Sequence, residues 1–262
     1  MSNLKVALLG GVYNNHVALR KACEMARARG CEALYQQGDL GGFGPTPNKV
    51  FPILEEFKVQ CIQGNYEESL INHIADCGCG YTHPRDNYFA QISYDYTNNN
   101  LSEENRQLLS TFPKQTQVKV GDAVVHLCHG SPRRINEFLW ETTTSNAFVL
   151  SMMKELKCDI LSCTHTGLPW KREVAPGKWI VNIGVLGRPA NDGQQHVWYA
   201  EVSWKNNQAV IEHVKIEYDW KALAQEMEAE KLPQEFIDTI TTGWWTTCLE
   251  ILPGKERSRG KF

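Results

Sequence analysis

The chain reads as a mixed α/β domain, and three observations predict it. The first 65 residues alternate short apolar runs with amphipathic stretches in the order β-α-β-α-β, the pattern of parallel strands joined by right-handed crossovers. Later apolar runs are separated by tight-turn pairs, Gly121-Asp122 and Asn206-Asn207, which point to antiparallel pairing. At 262 residues, with 42% hydrophobic and 22% charged side chains, the chain supports one large core of ordinary globular composition.

Taken in order, residues 6–9 are a short apolar strand that turns at Gly10-Gly11. Asn14 or Asn15 caps a helix running to about Arg29, with Val17, Leu19, Ala22, Cys23 and Ala26 on its inner face and Gly30 after it. Residues 33–36 form the second strand, 47–57 a helix and 59–62 the third strand. Residues 76–100 show little periodicity and many Gly, Pro, Asn, Asp and Tyr residues, so a long surface excursion is expected there. A helix at 102–111 stops at Pro113, strands at 117–120 and 123–128 flank the Gly121-Asp122 turn, and a helix at 144–156 leads into a buried strand at 159–163. Strands at 179–183, 197–204 and 209–217 precede two helices, 220–230 and 233–241. Trp244 and Trp245 carry enough apolar area either to pin the tail to the body or to wall the site, and residues 255–261 read as a basic, solvated end.

Net charge is −3, so there is no general electrostatic case for nucleic acid or for a membrane surface. No run approaches the ~20 apolar residues of a membrane span, and Met1 to Lys5 lead into the first strand without a signal-peptide core. A cytoplasmic protein is the expectation. The nine cysteines are scattered, mostly in apolar contexts that suit small buried hydrophobes. Cys77-Gly78-Cys79 is too tight for a zinc knuckle and reads as an exposed loop of reduced thiols.

Chemistry gathers at four Gly-rich segments that each follow a strand. These are Gly38-Asp39-Leu40-Gly41-Gly42-Phe43-Gly44-Pro45, Gly64-Asn65-Tyr66-Glu67, Cys128-His129-Gly130-Ser131-Pro132 and Thr164-His165-Thr166-Gly167. Strand ends of an open sheet converge on one edge, so Asp39, Asn65, His129 and His165 are the candidate ligands of a metal. A carboxylate, an amide oxygen and two imidazoles suit Mn, Fe or Zn. His16, His73, His83, His126, His196 and His213 lack that context and read as structural. Arg133 and Arg134 offer guanidinium forks for an anionic substrate.

Together these blocks resemble the calcineurin-like metallophosphoesterases, over about residues 5 to 243. The likeness is closest to a bacterial branch that writes Tyr after Gly-Asn and carries the run from His129 through Glu137. Residues 181–189 resemble a further family block. The resemblance implies a four-layer αββα sandwich of two mixed sheets flanked by helices over residues 1–243, with 244–262 as a tail packed on it. It also implies a two-metal site. At the positions of the first metal's private ligands this chain has Gly11, Tyr13 and Gly167. At those of the second, Asp39, Asn65, His129 and His165 all remain, so one divalent ion is expected. Tyr66 stands where the family places a His that assists the leaving group, so Tyr66 and His129 are the catalytic candidates. Tyr13, Arg133 and Arg134 are the candidates for substrate binding, and a tyrosinate is a further ligand type for a ferric ion.

The reading that follows is a hydrolase with one metal half-site, acting on a phosphoester or related small anionic metabolite. Its alternative is a catalytically silent metal- or nucleotide-binding module on the same fold. A tyrosine acid or base ranks third, because a phenol is a poor base near neutral pH. Oligomeric state is left open, a homo-oligomer included.

Overall fold

The structure is a computed structural model and describes residues 5–260, so the expectations for Met1 to Leu4 and for Lys261 lie outside the described residues. The chain enters β1 (Val6–Leu9), crosses over through α1 (His16–Ala28) to β2 (Ala33–Gln37), and through α2 (Val50–Glu56) to β3 (Gln60–Ile62). Three helices follow: α3 (Asn65–Ile71), α4 (Pro84–Asn100) and α5 (Glu103–Leu109). The second half runs β4 (Thr116–Val120), β5 (Ala123–Leu127), α6 (Asn146–Leu156), β6 (Ile160–Cys163), β7 (Pro169–Ala175) and β8 (Lys178–Ile183). It then returns to the first half with β9 (Val197–Lys205) and β10 (Gln208–Ile216) before α7 (Trp220–Ala229), α8 (Gln234–Thr242) and α9 (Gly254–Arg257).

Two five-stranded sheets result, ordered β10-β9-β1-β2-β3 and β4-β5-β6-β8-β7. Both are mixed. β1, β2 and β3 run parallel, β9 is antiparallel to β1, and β10 is antiparallel to β9. In the second sheet β5, β6 and β8 run parallel, with antiparallel β4 and β7 at the edges. Strand alternation then dictates the layers. Val6 and Leu8 of β1 join Val125, Ile160, Val181 and Val202 in a core between the two sheets. Ala7 and Leu9, on the opposite face, pack with Leu19 and Cys23 of α1 and with Met227 and Ile237 of α7 and α8. Leu161 and Ile180 face outward against Val149, Met152 and Met153 of α6. The order is therefore helix, sheet, sheet, helix, the αββα sandwich that the sequence implied.

Local chemistry sets most boundaries. Asn15 Oδ1 accepts the Ala18 N–H at 2.9 Å and caps α1, as expected. The β9–β10 turn places Asn206 and Asn207 at φ +50° and +59°, the left-handed pair that a two-residue hairpin of right-handed twist requires.

Four expectations are corrected. Residues 84–100 are helix α4, not a surface excursion. Its buried stripe is Asp86, Phe89, Ala90, Ser93, Tyr94 and Thr97, at helical spacing. Half of that stripe is polar, which hid the period. Asp86 accepts the Ile251 N–H, Ser93 pairs with Tyr66 Oη, and Thr97 Oγ1 accepts from Gly42 N and Asn14 Nδ2. Cys77 and Cys79 are buried and joined in a disulfide rather than exposed and reduced. The loop folds back on Asn65, whose Nδ2 donates to Cys77 O at 2.8 Å. The Gly64-Asn65-Tyr66-Glu67 segment opens helix α3 instead of remaining a loop. Residues 255–260 are not simply solvated. Glu256 is buried and accepts from Thr142 N and Oγ1, while Arg257 and Arg259 pair with Glu250 and Glu141. No helix among the described residues is long and apolar enough to cross a membrane.

One buried ion-pair cluster locks the end of α1 to the sheet. Glu201 on β9 is 2% exposed and takes Lys5 Nζ at 2.6 Å, Arg29 Nε at 2.7 Å and Tyr199 Oη at 2.7 Å. Burial alone would raise its carboxyl, but the Arg29 and Lys5 bonds overcome that and depress it to about 2, from 4.5. A depressed carboxylate stabilises the fold above its unfolded value and loses that contribution as pH falls through the folded one. Glu201→Gln is therefore expected to melt below wild type at pH 6, with the gap closing between about pH 4.5 and pH 2. Thermal melts of both proteins across that range check it.

Candidate functional site

Four loops leave the carboxyl ends of β2, β3, β5 and β6 at one end of the sandwich. Gln37, the last residue of β2, stitches the two sheets together beneath them. Its Nε2 donates to Cys128 O at 2.8 Å and Ser162 O at 3.2 Å, and its Oε1 accepts from Ser162 Oγ at 2.7 Å. This brings Asp39, Asn65, His129 and His165 together, all buried. His129 Nε2 lies 3.0 Å from Asn65 Oδ1, 3.0 Å from His165 Nδ1 and 3.2 Å from Asp39 Oδ2. Ligand atoms of Asp39, His129 and His165 all fall within 4.8 Å of one another.

Protons are short in this cluster. His129 Nδ1 lies 2.8 Å from the Gln37 carbonyl, which only accepts, so Nδ1 carries the proton and a neutral ring turns a lone pair at Nε2 toward the cluster. Asn65 spends its amide hydrogens on Cys77 O and Cys79 Sγ, which turns Oδ1 inward. Asp39 is a carboxylate that only accepts. Burial opposes its ionisation, but the His129 ring beside it carries its carboxyl below the ordinary value. Burial and the neighbouring His129 drive His165 down to about 3, so its ring is neutral near pH 7. Burial works against charge on His129 as well, and Asp39 reverses that and raises it. Two oxygen acceptors and a second imidazole nitrogen thus crowd one imidazole nitrogen that can offer one proton at most. His165 Nε2 is also buried without a hydrogen-bond partner. Such a set of oxygen and nitrogen lone pairs fits a divalent cation of the Mn, Fe or Zn type, and the His129–Gln37 carbonyl bond is the kind of support that orients a ligating imidazole.

The backbone is bent to serve the cluster. Asp39 and His165 hold φ of +60° and +33°, left-handed values uncommon outside glycine and concentrated at functional sites. Gly64 permits the close approach, since a Cβ there would stand 2.5 Å from Asp39 Oδ1. Glu67 clamps the two loops. Its buried carboxylate accepts from Asp39 N at 2.7 Å, Leu40 N at 2.8 Å and Gly64 N at 2.7 Å. Its place in the Gly-Asn-Tyr-Glu run was visible in the sequence, but its role was not, because the partners are backbone amides distant in the chain.

Beside the cluster lies a cleft of about 50 Å³. Tyr13 and Tyr66 line it with Asp39 and His165, as do Thr247 and Cys248 of the tail. Burial pushes both phenols well above the ordinary tyrosine value, which favours neutral hydroxyls near pH 7. Tyr66 Oη lies 2.9 Å from Ser93 Oγ. Arg133 and Arg134 are not brought here. Both are exposed, and Arg133 lies over Phe148 at 5.1 Å. The guanidinium in the cleft is Arg188, which sequence reasoning passed over inside the 181–189 block. Trp245 is buried, with Nε1 donating to Pro189 O at 2.6 Å, so the tail is docked there, and it walls the cleft through Thr247 and Cys248. Of the remaining histidines, His126 pairs with Gln115 and His213 with the Asn182 carbonyl, both structural.

Removing the Glu67 carboxylate leaves three buried amides without acceptors. Glu67→Ala is expected to lower stability by about 3 kcal/mol and to weaken metal retention about 10-fold or more. Urea unfolding and elemental analysis after dialysis check the two effects.

Comparisons with known proteins agree with this architecture. Residues 4–205 match the family model of the calcineurin-like phosphoesterase superfamily domain. An uncharacterized protein of Methanocaldococcus jannaschii is 20% identical over 254 residues, covering 91% of this chain and 98% of that one. Among solved structures, a metallophosphoesterase from Sphaerobacter thermophilus superposes with a TM-score of 0.68 at 21% identity, covering 92% of this chain and all of the other. A hypothetical protein from Pyrococcus horikoshii superposes with a TM-score of 0.74 at 22% identity, covering 93% of this chain and all of the other. The two sheets, the strand-end cluster of Asp39, His129 and His165, and the family match over most of the chain lead to one conclusion: this protein belongs to the calcineurin-like phosphoesterase superfamily.

Proposed function

We propose that this protein is a metal-dependent hydrolase of a phosphoester or related small anionic metabolite, working with one divalent ion, Mn, Fe or Zn, at Asp39, Asn65, His129 and His165. The observation that carries the reading is the crowding of Asn65 Oδ1, His165 Nδ1 and Asp39 Oδ2 around His129 Nε2. A bound divalent ion supplies Lewis acidity and a more acidic water.

The chain's own residues do the rest. Asp39 supplies negative charge and, held by Glu67 and the Tyr66 N–H, cannot swing away. His129 and His165 supply neutral nitrogen. Tyr66 lines the cleft with its proton retained, which suits a donor to a departing alkoxide and not a base.

Position supports one ion rather than two. Gly11, Tyr13 and Gly167 stand where the resemblance puts the other metal's private ligands. A Cβ at Gly11 would stand 2.6 Å from Tyr13 Cε1, so the Tyr13 ring covers the space beside it. The silent-module reading draws on the same substitutions, and the experiment separates the two.

Purified protein is expected to retain one equivalent of metal by elemental analysis. Loaded with Mn, Fe or Zn, it should turn over at least one member of a panel of phosphomonoesters and phosphodiesters. Asp39→Ala and His129→Ala are each expected to lower kcat/KM by about 100-fold or more. Two retained equivalents reject the single-ion site. Metal binding without turnover on any ester favours the silent module.

A further inference from the structure

The cleft contains a buried cation that the metal cluster does not use. Arg188 is 6% exposed, and its Nε has no hydrogen-bond partner. No ion pair among the described residues includes it. Its guanidinium lies over the Trp245 ring, with Cζ 3.5 Å from the centroid. Trp245 is itself held in place, its indole Nε1 donating to Pro189 O and its backbone N–H to Asn191 Oδ1.

The groups that feel its charge are the Tyr13 and Tyr81 phenols and the Cys248 thiol, each pushed up by burial and therefore protonated near pH 7. Asp39 is the one carboxylate among the cleft's lining residues, and it is committed to His129. Burying a charge is costly unless it is paired, and stacking on an indole returns only part of that cost. What remains is a site for an anion.

Its position is specific. A Cβ at Gly167 would stand 3.6 Å from Arg188 Nη2 and 3.3 Å from the Trp245 ring. Gly167 and Tyr13 are two of the three positions at which the resemblance places private ligands of a first metal ion. A guanidinium therefore sits on the side of the cleft that other family members give to that ion.

We propose that Arg188 is the anion clamp of this cleft, its planar fork taking oxygens of a small tetrahedral oxyanion, the phosphoryl group of the substrate. This rests on the hydrolase reading for what happens to the anion next, but not for its binding. A guanidinium stays charged across the working pH range and matches phosphate oxygens two at a time. A cavity of about 50 Å³ suits an oxyanion of that size.

The test uses the full chain stripped of metal with chelator, titrated calorimetrically with inorganic phosphate. Wild type is expected to bind one equivalent. Arg188→Met should weaken binding about 10-fold or more, with Arg188→Lys between the two. Sulfate binding as tightly as phosphate would keep the clamp and broaden it to tetrahedral oxyanions, whereas acetate binding equally well would reject the tetrahedral assignment. Phosphate affinity unchanged in Arg188→Met, with only the melting temperature lowered, would overturn the proposal and leave Arg188 as a pin for Trp245. Should the variants fail to fold, metal-free wild-type crystals soaked in tungstate read the contact directly. Tungstate oxygen within about 3 Å of the guanidinium is expected, and tungstate seated only elsewhere rejects the clamp. Metal content and turnover are read separately. Phosphate held through Arg188 without turnover rejects the hydrolase alone, and turnover with unaltered phosphate binding in Arg188→Met rejects the clamp alone.

Discussion

Lone pairs outnumber protons at the end of this sandwich, and that imbalance is the constraint the rest of the structure serves. An amide oxygen, a carboxylate and an imidazole nitrogen all stand about 3 Å from His129 Nε2, with the ring's other proton already given to a carbonyl. Groups of like polarity held this closely in a buried place repel unless a cation lies among them. The fold therefore has to hold them against their own preference. It does so with Gln37 across the sheets, Glu67 across the loops, and left-handed backbone at Asp39 and His165.

The side-chain supports are buried polar groups bonded largely to backbone. Glu67 satisfies three amides, Gln37 two carbonyls, and Thr97 on α4 takes the Gly42 amide. Buried polar groups are tolerable only when bonded, so these networks make the loop geometry all-or-none. A glycine-rich loop after a strand has many conformations of its own. Here Gly42 and Asp39 are tied at both ends by side chains from helices α3 and α4. That coupling explains why α4, whose composition reads as loop, is helix. Its polar stripe is built for partners in other segments.

Nine of the ten strands, all but β7, and the meeting of Asp39, Asn65, His129 and His165 were legible in the sequence because they depend on local signals: apolar runs, turn pairs, and Gly-rich segments after strands. A cap at Asn14 or Asn15 and a turn at Asn206-Asn207 were legible for the same reason. The rest depends on contacts far apart in the chain. α4 was hidden because Asp86, Ser93 and Thr97 occupy its buried face. The disulfide of Cys77 and Cys79 was hidden because nothing local shows that their loop folds back on Asn65. Arg133 and Arg134 drew attention as an adjacent pair following His129, yet both face solvent. Arg188 stood alone between Gly187 and Pro189 and only the approach of Trp245, 57 residues later, gives it a setting.

A guanidinium and a metal ion are not equivalent replacements, and the difference shapes the proposed chemistry. Both present positive charge to phosphoryl oxygen, but a guanidinium does not surrender its proton near neutral pH and cannot make a bound water more acidic. A cleft that trades one ion for Arg188 keeps binding and charge stabilisation on that side and gives up one source of hydroxide. On the proposed reading, an ion held by Asp39, Asn65, His129 and His165 would be the one left to make a water more acidic. The Tyr13 ring beside Gly11 and the indole beside Gly167 fit that division of labour. They line the clamp with apolar surface, where a fixed charge acts more strongly on an anion than it would in water. The same surroundings keep both phenols protonated, so on the proposed reading the Arg188 side would hold the anion and would not supply the nucleophile.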